Sequence, residues 1–152
     1  MNENVKQLDT ILQFKNGKKR PKGEGDIPVY GGNGILGYTN DSNNENCIAI
    51  GRVGAYCGSV YYEQNKCWIS DNAIAAQVKD GADVVYAYYL LKSLNLNERR
   101  IGTSQPLLTQ EILNKTKTVI LPVEKQAAVG KFLMKFDEKI KLNNEINNNL
   151  VA

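Results

Sequence analysis

Glycine-rich segments of this chain carry side chains that can form hydrogen bonds with the edges of nucleic-acid bases. Three such segments lie at 30–38, 50–56 and 102–106. Asn, Gln and Arg side chains can each form two parallel hydrogen bonds with one base, and glycine lets the backbone approach a duplex closely. Tyrosines and a serine stand beside them. The residues of these segments predicted to contact DNA are Tyr30, Asn33, Tyr38, Arg52, Tyr56, Ser104 and Gln105, and among them Asn33, Arg52, Ser104 and Gln105 are predicted to face base edges.

A basic loop precedes the first of these segments. Residues 15–22 include five basic side chains among eight and are interrupted by a glycine and a proline, which predicts a loop rather than a helix. The net charge of the whole chain is only +3, from 19 basic and 16 acidic residues, so local concentration matters more than the sum. The predicted phosphate-contacting residues are Lys18, Lys19, Arg20 and Lys22.

The sequence offers little that could carry catalysis or hold a cofactor. It contains no histidine, so a serine or cysteine nucleophile lacks its usual base, and its three cysteines form no CxxC pair that would indicate zinc. Residues 32–37 match the G-x-G-x-x-G dinucleotide pattern, but the turn-forming residues that follow cannot open the required helix. Residues 137–139 match a loose nuclease element on a predicted exposed helix face. We predict buried free thiols, no catalytic residue, no metal site and no cofactor.

Short apolar runs separated by Gly, Asn and Asp between residues 27 and 78 are typical of β-strands. The predicted strands are 27–30, 35–38, 47–50, 58–62 and 73–78, with a closing strand at 118–121. Helices are predicted at 5–14, at 83–94 and after Thr109, whose hydroxyl suits a helix N-cap. The pattern predicts an α+β (mixed α/β) domain of short twisted strands and a few helices over 1–121, followed by one long C-terminal coiled-coil helix over 122–152.

The apolar spacing in the last segment predicts that this helix pairs with a partner. From residue 129 onward the apolar positions step alternately by four and three residues, and the same stepping then reaches two asparagines. Such spacing is typical of a coiled coil, in which buried asparagines fix the register. The alternative is that the helix folds back on its own domain. The predicted pairing residues are Val129, Leu133, Phe136, Ile140, Asn143, Asn147 and Leu150.

Five segments in order and spacing resemble those of type I restriction–modification DNA specificity subunits. They lie at 27–38, 48–60, 68–73, 102–108 and 120–126. The resemblance implies a target-recognition domain followed by a conserved helical region, which reads double-stranded DNA and docks on modification (methyltransferase) and restriction subunits. It also implies a non-catalytic subunit without S-adenosylmethionine, ATP or metal of its own.

Members of this family typically contain two recognition domains and two helices, whereas this sequence shows no internal repeat. We therefore expect either a half-subunit that homodimerises through residues of about 123–150 or a fragment of a longer subunit. A two-fold dimer would read a palindromic, gapped target whose half-sites lie about one duplex turn apart.

Two other function classes stay open at this point. One is a protein-interaction adaptor, for example an antagonist of a specificity subunit, that has no DNA preference. The other is a small metal-dependent nuclease. The sequence has neither an apolar run near 18 residues nor a secretory pattern, so we expect a cytoplasmic protein that does not contact membranes.

Overall fold

The computed structural model describes residues 4–79 and 81–151. Within these residues, eight strands and three α-helices form an α+β domain with one long C-terminal helix, as predicted. Short 3₁₀ helices occur at Leu8–Thr10 and Leu96–Arg99. The strands are β1 (Val5–Gln7), β2 (Leu12–Asn16), β3 (Ile27–Gly31), β4 (Gly34–Thr39), β5 (Asn44–Gly51), β6 (Val60–Ile69), β7 (Ala73–Val78) and β8 (Lys117–Val119). The helices are α1 (Val84–Ser93), α2 (Gln110–Lys115) and α3 (Val123–Val151).

A six-stranded mixed sheet forms the centre of the domain, in the order β2-β7-β5-β6-β3-β4. Alternate residues of β5 enter two different cores, because successive side chains of a strand point to opposite faces. Ile48 and Ile50 join the larger core, against α1, and Cys47 and Ala49 join a smaller core on the other face. Both faces of β5 are therefore buried, which explains its uninterrupted apolar run.

Strand β6 bends so that its end covers the second core. In the ladder with β5 the partner of Cys47 is Glu63, four residues before Cys67. Four residues of straight strand would separate the two thiols by roughly 13 Å, yet their sulfur atoms lie 3.5 Å apart. The bulge between Glu45 and Cys47 allows this bend, and Trp68 and Ile69 at the end of β6 then pair in parallel with β3.

The predicted helix at 5–14 is wrong. This stretch forms β1, a 3₁₀ turn and β2, and β2 buries Leu12 and Phe14 while Gln13 between them is exposed. Strand β1 pairs with β8 and β2 pairs with β7. The spacing of apolar residues fits both periods over so short a stretch, and these non-local partners decide in favour of strands.

The other predicted elements are present, and apart from β6 their ends differ from the prediction by only a few residues. Asp83 caps α1 through its Oδ1 atom, which accepts a hydrogen bond from the amide of Tyr86 at 2.8 Å. Thr109 caps α2 as predicted, accepting from the amide of Ile112 at 3.2 Å. Strand β6 continues to Ile69, seven residues beyond the predicted end at Tyr62. The sequence signal failed there because residues 64–66 are polar and exposed.

The first half of α3 packs on α1 of the same domain. Gln126 is completely buried, and its side chain joins the amide of Asp83 (3.0 Å) to the carbonyl oxygen of Leu121 (2.8 Å). Gly130 is also buried, and a Cβ at this position would lie 2.7 Å from the amide nitrogen of Tyr86. Further along both helices, the hydroxyl of Tyr89 on α1 donates to Asp137 on α3 at 2.6 Å.

This docking uses part of the stripe that the sequence assigned to a partner. Val129 packs on the core of its own domain and Leu133 is half-buried. The fold-back alternative therefore holds for the first half of α3, whereas residues 135–151 are exposed. Within the ranges that the structure describes, no helix combines the length and the hydropathy needed to cross a membrane.

The three cysteines are free thiols and are buried, as predicted. The contact with Cys67 and burial raise the pKa of the Cys47 thiol well above its usual range. Burial also raises the pKa of the Cys57 thiol. All three thiols therefore serve as small core residues.

Candidate nucleic-acid interface

Four loops meet at one end of the central sheet and form what we call the loop cluster, defined as residues 31–34, 51–59, 70–72 and 101–107. The amide of Arg52 donates to the carbonyl of Asn72 at 2.9 Å. A Cβ at Gly32 would lie 3.2 Å from the carbonyl oxygen of Val53, so these two backbones nearly touch. Glycine suits this close packing of three loops, because a side chain at position 32 would require the neighbouring backbone to shift by a few tenths of an ångström.

The loop 101–107 is attached to the cluster through backbone hydrogen bonds. The amide of Gly54 donates to the carbonyl of Pro106 at 3.0 Å, and the amide of Leu108 donates to the carbonyl of Arg52 at 2.9 Å. Its base is closed by a bridge between Ile101 and Leu107. A loop held at both ends in this way presents its tip, Ser104 and Gln105, in a fixed position, and both residues are exposed.

Arg52 and Asn33 stand within the cluster with their side chains partly engaged. The Nη1 atom of Arg52 donates to the carbonyl of Asp71 at 3.1 Å, and a guanidinium has four further N–H groups. The Oδ1 atom of Asn33 accepts from the hydroxyl of Tyr61 at 3.2 Å, which leaves the amide NH₂ of Asn33 pointing away from this partner. Both contacts restrict the side chains without using all their donors.

Tyr56 is the one aromatic side chain among the residues of the cluster, and it is 58% exposed. Its loop is supported from below by the 3₁₀ helix Leu96–Arg99, because Asn97 donates from Nδ2 to the carbonyl of Cys57 at 2.6 Å. Arg100 in turn donates from Nη1 to Oδ1 of Asn97. Arg100 is thus a cationic side chain beside the cluster, linked through Asn97 to the loop that carries Tyr56.

The prediction that Tyr30 faces DNA is at odds with its position. Tyr30 is only 6% exposed and lies in the smaller core, where its hydroxyl donates to Glu63 at 3.0 Å. Burial and then this hydrogen bond to Glu63 raise the pKa of Tyr30 well above its usual range. The sequence could not separate it from Tyr38, because Tyr30 lies where β3 pairs with β6 inside the sheet, whereas Tyr38 lies on the edge strand β4.

Two other predicted residues lie along the outer strand of the sheet, outside the loop cluster. Tyr38 is half exposed on β4. Arg20 donates from Nη2 to the carbonyl of Tyr38 at 3.1 Å, and its guanidinium covers Gly37. Arg20 therefore fastens the basic loop to β4, a structural contact that the charge pattern alone does not reveal.

The lysines of the basic loop are exposed, and the loop begins next to the cluster. The backbone of Lys18 is fixed by two bonds: its amide donates to the carbonyl of Ile69 at 3.0 Å, and its carbonyl accepts from the indole of Trp68 at 3.0 Å. Lys18, Lys19 and Lys22 are all exposed. Lys18 follows β2, and its backbone also bridges to Ser70, in the turn after β6 that belongs to the loop cluster.

Sequence reasoning missed the contribution of the turn between β6 and β7. Asp71 and Asn72 are exposed, and their carbonyls hold Arg52 in place. Both side chains can bond base edges, because a carboxylate accepts from cytosine and an asparagine amide can pair with adenine. The run Ser-Asp-Asn is typical of a turn, which was the available signal. Within residues 4–79 and 81–151, no group of three potential ligands is arranged to hold a metal ion.

Polar loops and exposed lysines on an α+β domain with a long helix are the kinds of group that DNA-reading domains use for base and phosphate contacts. The family described as the type I restriction modification DNA specificity domain matches residues 2–152. The chain therefore belongs to this family.

Among curated relatives, the chain is similar to the type I restriction enzyme EcoprrI specificity subunit of Escherichia coli, at 32% identity over 111 residues. That alignment covers 72% of this chain and 28% of the relative, so the chain spans well under half the length of the protein it matches.

Solved structures show the same fold. A type I restriction–modification S subunit from M. genitalium superimposes with a TM-score of 0.78 at 21% identity, over 90% of this chain and 39% of that one. The HsdS subunit from Thermoanaerobacter tengcongensis superimposes with a TM-score of 0.66 at 15% identity, over 93% of this chain and 39% of that one.

Proposed function

We propose that this chain reads DNA sequence for a type I restriction–modification system and carries no catalytic chemistry itself. In this role it selects the sites at which separate modification and restriction subunits act. The observation that carries the proposal is the loop cluster, where Asn33, Arg52, Tyr56 and Gln105 come together from three distant parts of the chain. Family membership supports the same role, since the family is defined by DNA specificity.

The proposal divides the work between two groups of residues. Exposed lysines of the basic loop hold phosphates, which gives affinity that falls with salt and does not depend on sequence. Arg52, Asn33, Ser104 and Gln105 face base edges, and each good bidentate contact contributes about 1–3 kcal/mol of discrimination. Tyr56 adds a flat contact surface at the same end of the domain.

Paired substitutions test this division. Arg52→Ala should relax sequence preference at one position of the target, whereas Lys19→Ala should weaken binding to all duplexes alike and reduce the salt dependence by about one phosphate contact. The measurement is fluorescence anisotropy on target and scrambled duplexes at several salt concentrations. Lys66→Ala, on β6 outside the cluster, is the matched control for loss of one exposed charge. Equal effects of Arg52→Ala and Lys19→Ala on both duplexes would refute the division.

The exposed stripe of α3 supports pairing with a second copy. Phe136, Ile140 and Leu150 are 54%, 57% and 78% exposed, and the asparagines at 143 and 147 follow the same face. Phe132, which the predicted seam omitted, is 61% exposed and packs edge-on against Phe136. Two such helices can bury this stripe against each other, with the asparagines setting the register. A helix of 29 residues spans roughly 44 Å, which allows half-sites about one duplex turn apart.

A charge placed in the stripe tests the pairing. Phe136→Lys should convert a dimer into a monomer in sedimentation velocity, because the lysine would be buried without a partner. Leu142→Lys is the control, since this residue is also half exposed but lies about 120° further around the helix. A wild-type chain that sediments as a monomer, alone and with a modification subunit, would contradict the homodimer.

The proposed role in the cell has a direct readout. Methylation mapping in cells with and without this chain should show one gapped, palindromic motif that is methylated only when the chain is present. A chain that binds partner subunits but changes no methylation site, and that selects no sequence from a random duplex pool, would support the adaptor function instead.

A further inference from the structure

A depression with an apolar floor lies inside the loop cluster, between the loops 51–59 and 101–107. Its volume is about 680 Å³ and it is open on one side. The two walls are held together by the bond between the Gly54 amide and the Pro106 carbonyl and by a bridge between Val53 and Leu107. The lining residues are Val53, Gly54, Ala55, Ser104, Gln105, Pro106 and Leu107.

The chemistry of the depression differs from that of the rest of the cluster. Apolar atoms of Val53, Ala55, Pro106 and Leu107 form most of its surface, and the polar side chains that line it belong to Ser104 and Gln105. Apolar surface that is left open on a rigid part of a protein indicates a contact with another molecule. Because the depression is continuous with the proposed DNA-reading loops, its occupant must be a part of the duplex.

A duplex offers one kind of apolar group at its edges. The bases display hydrogen-bond donors and acceptors in both grooves, and the 5-methyl group of thymine is the apolar group that projects into the major groove. A polar base edge placed against Val53 and Leu107 would lose its water without gaining a partner. The methyl group loses nothing by leaving water, and the amide of Gln105 beside it can bond the adenine of the same base pair.

We propose that this depression is a thymine-reading subsite that receives the 5-methyl group of a thymine in the target. Gln105 is placed to contact the adenine of the same base pair. The inference rests on the proposed DNA-reading function and adds to it a particular base and groove. It places the loops 51–59 and 101–107 in the major groove. Val53, Ala55 and Leu107 are then specificity-determining residues, although none of them can form a side-chain hydrogen bond.

Removal of the methyl group alone tests the subsite. Once the target is known from site selection, each thymine is replaced in turn by deoxyuridine, which pairs identically but lacks the methyl group. One position should weaken binding about four-fold, the value for loss of one buried methyl group. Replacement by 5-bromodeoxyuridine at that position should restore binding, because bromine has nearly the size of a methyl group. A target in which every deoxyuridine duplex binds as tightly as the thymine duplex overturns the proposal.

Filling the depression provides the second test. Ala55→Leu adds apolar volume from an exposed position, so we expect the domain to fold while the thymine and deoxyuridine duplexes become equal in affinity. Ala127→Leu adds the same volume on an exposed part of α3 and should keep the four-fold difference. Persistence of the difference in Ala55→Leu places the methyl group elsewhere and overturns the proposal.

The outcomes separate this inference from the proposed function. A wild-type chain that selects a sequence but shows no methyl-dependent position retains its DNA-reading function and lacks the thymine subsite. A chain that selects no sequence fails the proposed function itself. If a fluorescent base analogue next to the sensitive position brightens on binding, the base has left the stack, and the depression then holds a whole base rather than a methyl group, which also overturns the proposal.

Discussion

Replacement of Gln126 by leucine should weaken the attachment of the long helix to the rest of its domain. Gln126 is completely buried where α3 meets α1, and it is the side chain that joins the start of both helices. Leucine has a similar volume, so the substitution leaves the packing nearly filled and removes two hydrogen bonds. The amide of Asp83 then loses its acceptor and the carbonyl of Leu121 loses its donor.

The expected loss in stability follows from these two groups. An unsatisfied buried donor or acceptor costs about 1–3 kcal/mol, and burial of the additional apolar surface of leucine offsets part of this sum. We expect the free energy of unfolding to fall by about 2–4 kcal/mol. At about 2–4 °C per kcal/mol for a chain of this size, a loss near 3 kcal/mol lowers Tm by roughly 6–12 °C.

Urea unfolding followed by circular dichroism measures this loss. Gln64→Leu, the same change at an exposed position of β6, is the control and should stay within about 0.5 kcal/mol of the wild-type value. A Gln126→Leu protein that unfolds within about 0.5 kcal/mol of wild type would refute the reasoning, because the two buried groups would then have found other partners at no cost.

Three further predictions concern the domain itself. Gly58→Ala should destabilise the protein by at least about 2 kcal/mol in urea unfolding, because its φ is +90° and a Cβ would lie 2.4 Å from the amide nitrogen of Asn97; Gly23→Ala has only the backbone cost (φ +117°, no atom within 4 Å), and equal losses would contradict the clash. The thiols of Cys47 and Cys57 should react with a disulfide reagent only as fast as the protein unfolds, since both are buried with raised pKa values; rapid reaction in buffer would contradict this. Burial and the bond to Glu63 raise the pKa of Tyr30, so its stabilising effect is complete below about pH 10, where an unfolded tyrosine ionises, and is lost as the pH rises further; denaturation curves of Tyr30→Phe should show a smaller loss above pH 10, and an unchanged loss would contradict the assignment.

The sequence by itself determined the class of the fold and the location of the glycine-rich loops. Glycine-rich turns between apolar runs predict strands joined by tight loops, and most of the predicted strands are present. Such signals are local, because turn chemistry and helix capping depend on neighbouring residues. The caps at Asp83 and Thr109 are examples. The polar side chains on these loops were visible for the same reason.

Only the tertiary structure decided which side chains share a surface. Tyr30 and Tyr38 look alike in the sequence, yet Tyr30 is buried where β3 pairs with β6, while Tyr38 on the edge strand β4 stays half exposed. The stretch 5–14 has apolar spacing that fits a helix, and pairing with β7 and β8 makes it two strands. Both outcomes depend on partners that are distant in the chain, β6 for Tyr30 and β7 and β8 for the stretch 5–14, and periodicity within a short window does not contain them.

The long helix shows both limits in one element. Its start and length could be predicted from the proline at 122 and from the absence of any later proline in the sequence, since these are local properties. Its division into a docked half and an exposed half could not, because the contact surface is set by the shape of α1. Gly130 lies against the backbone of Tyr86, and Gln126 replaces water for two buried groups. A polar residue and a glycine give no apolar signal, so only the packed structure reveals that they fix the helix to its domain.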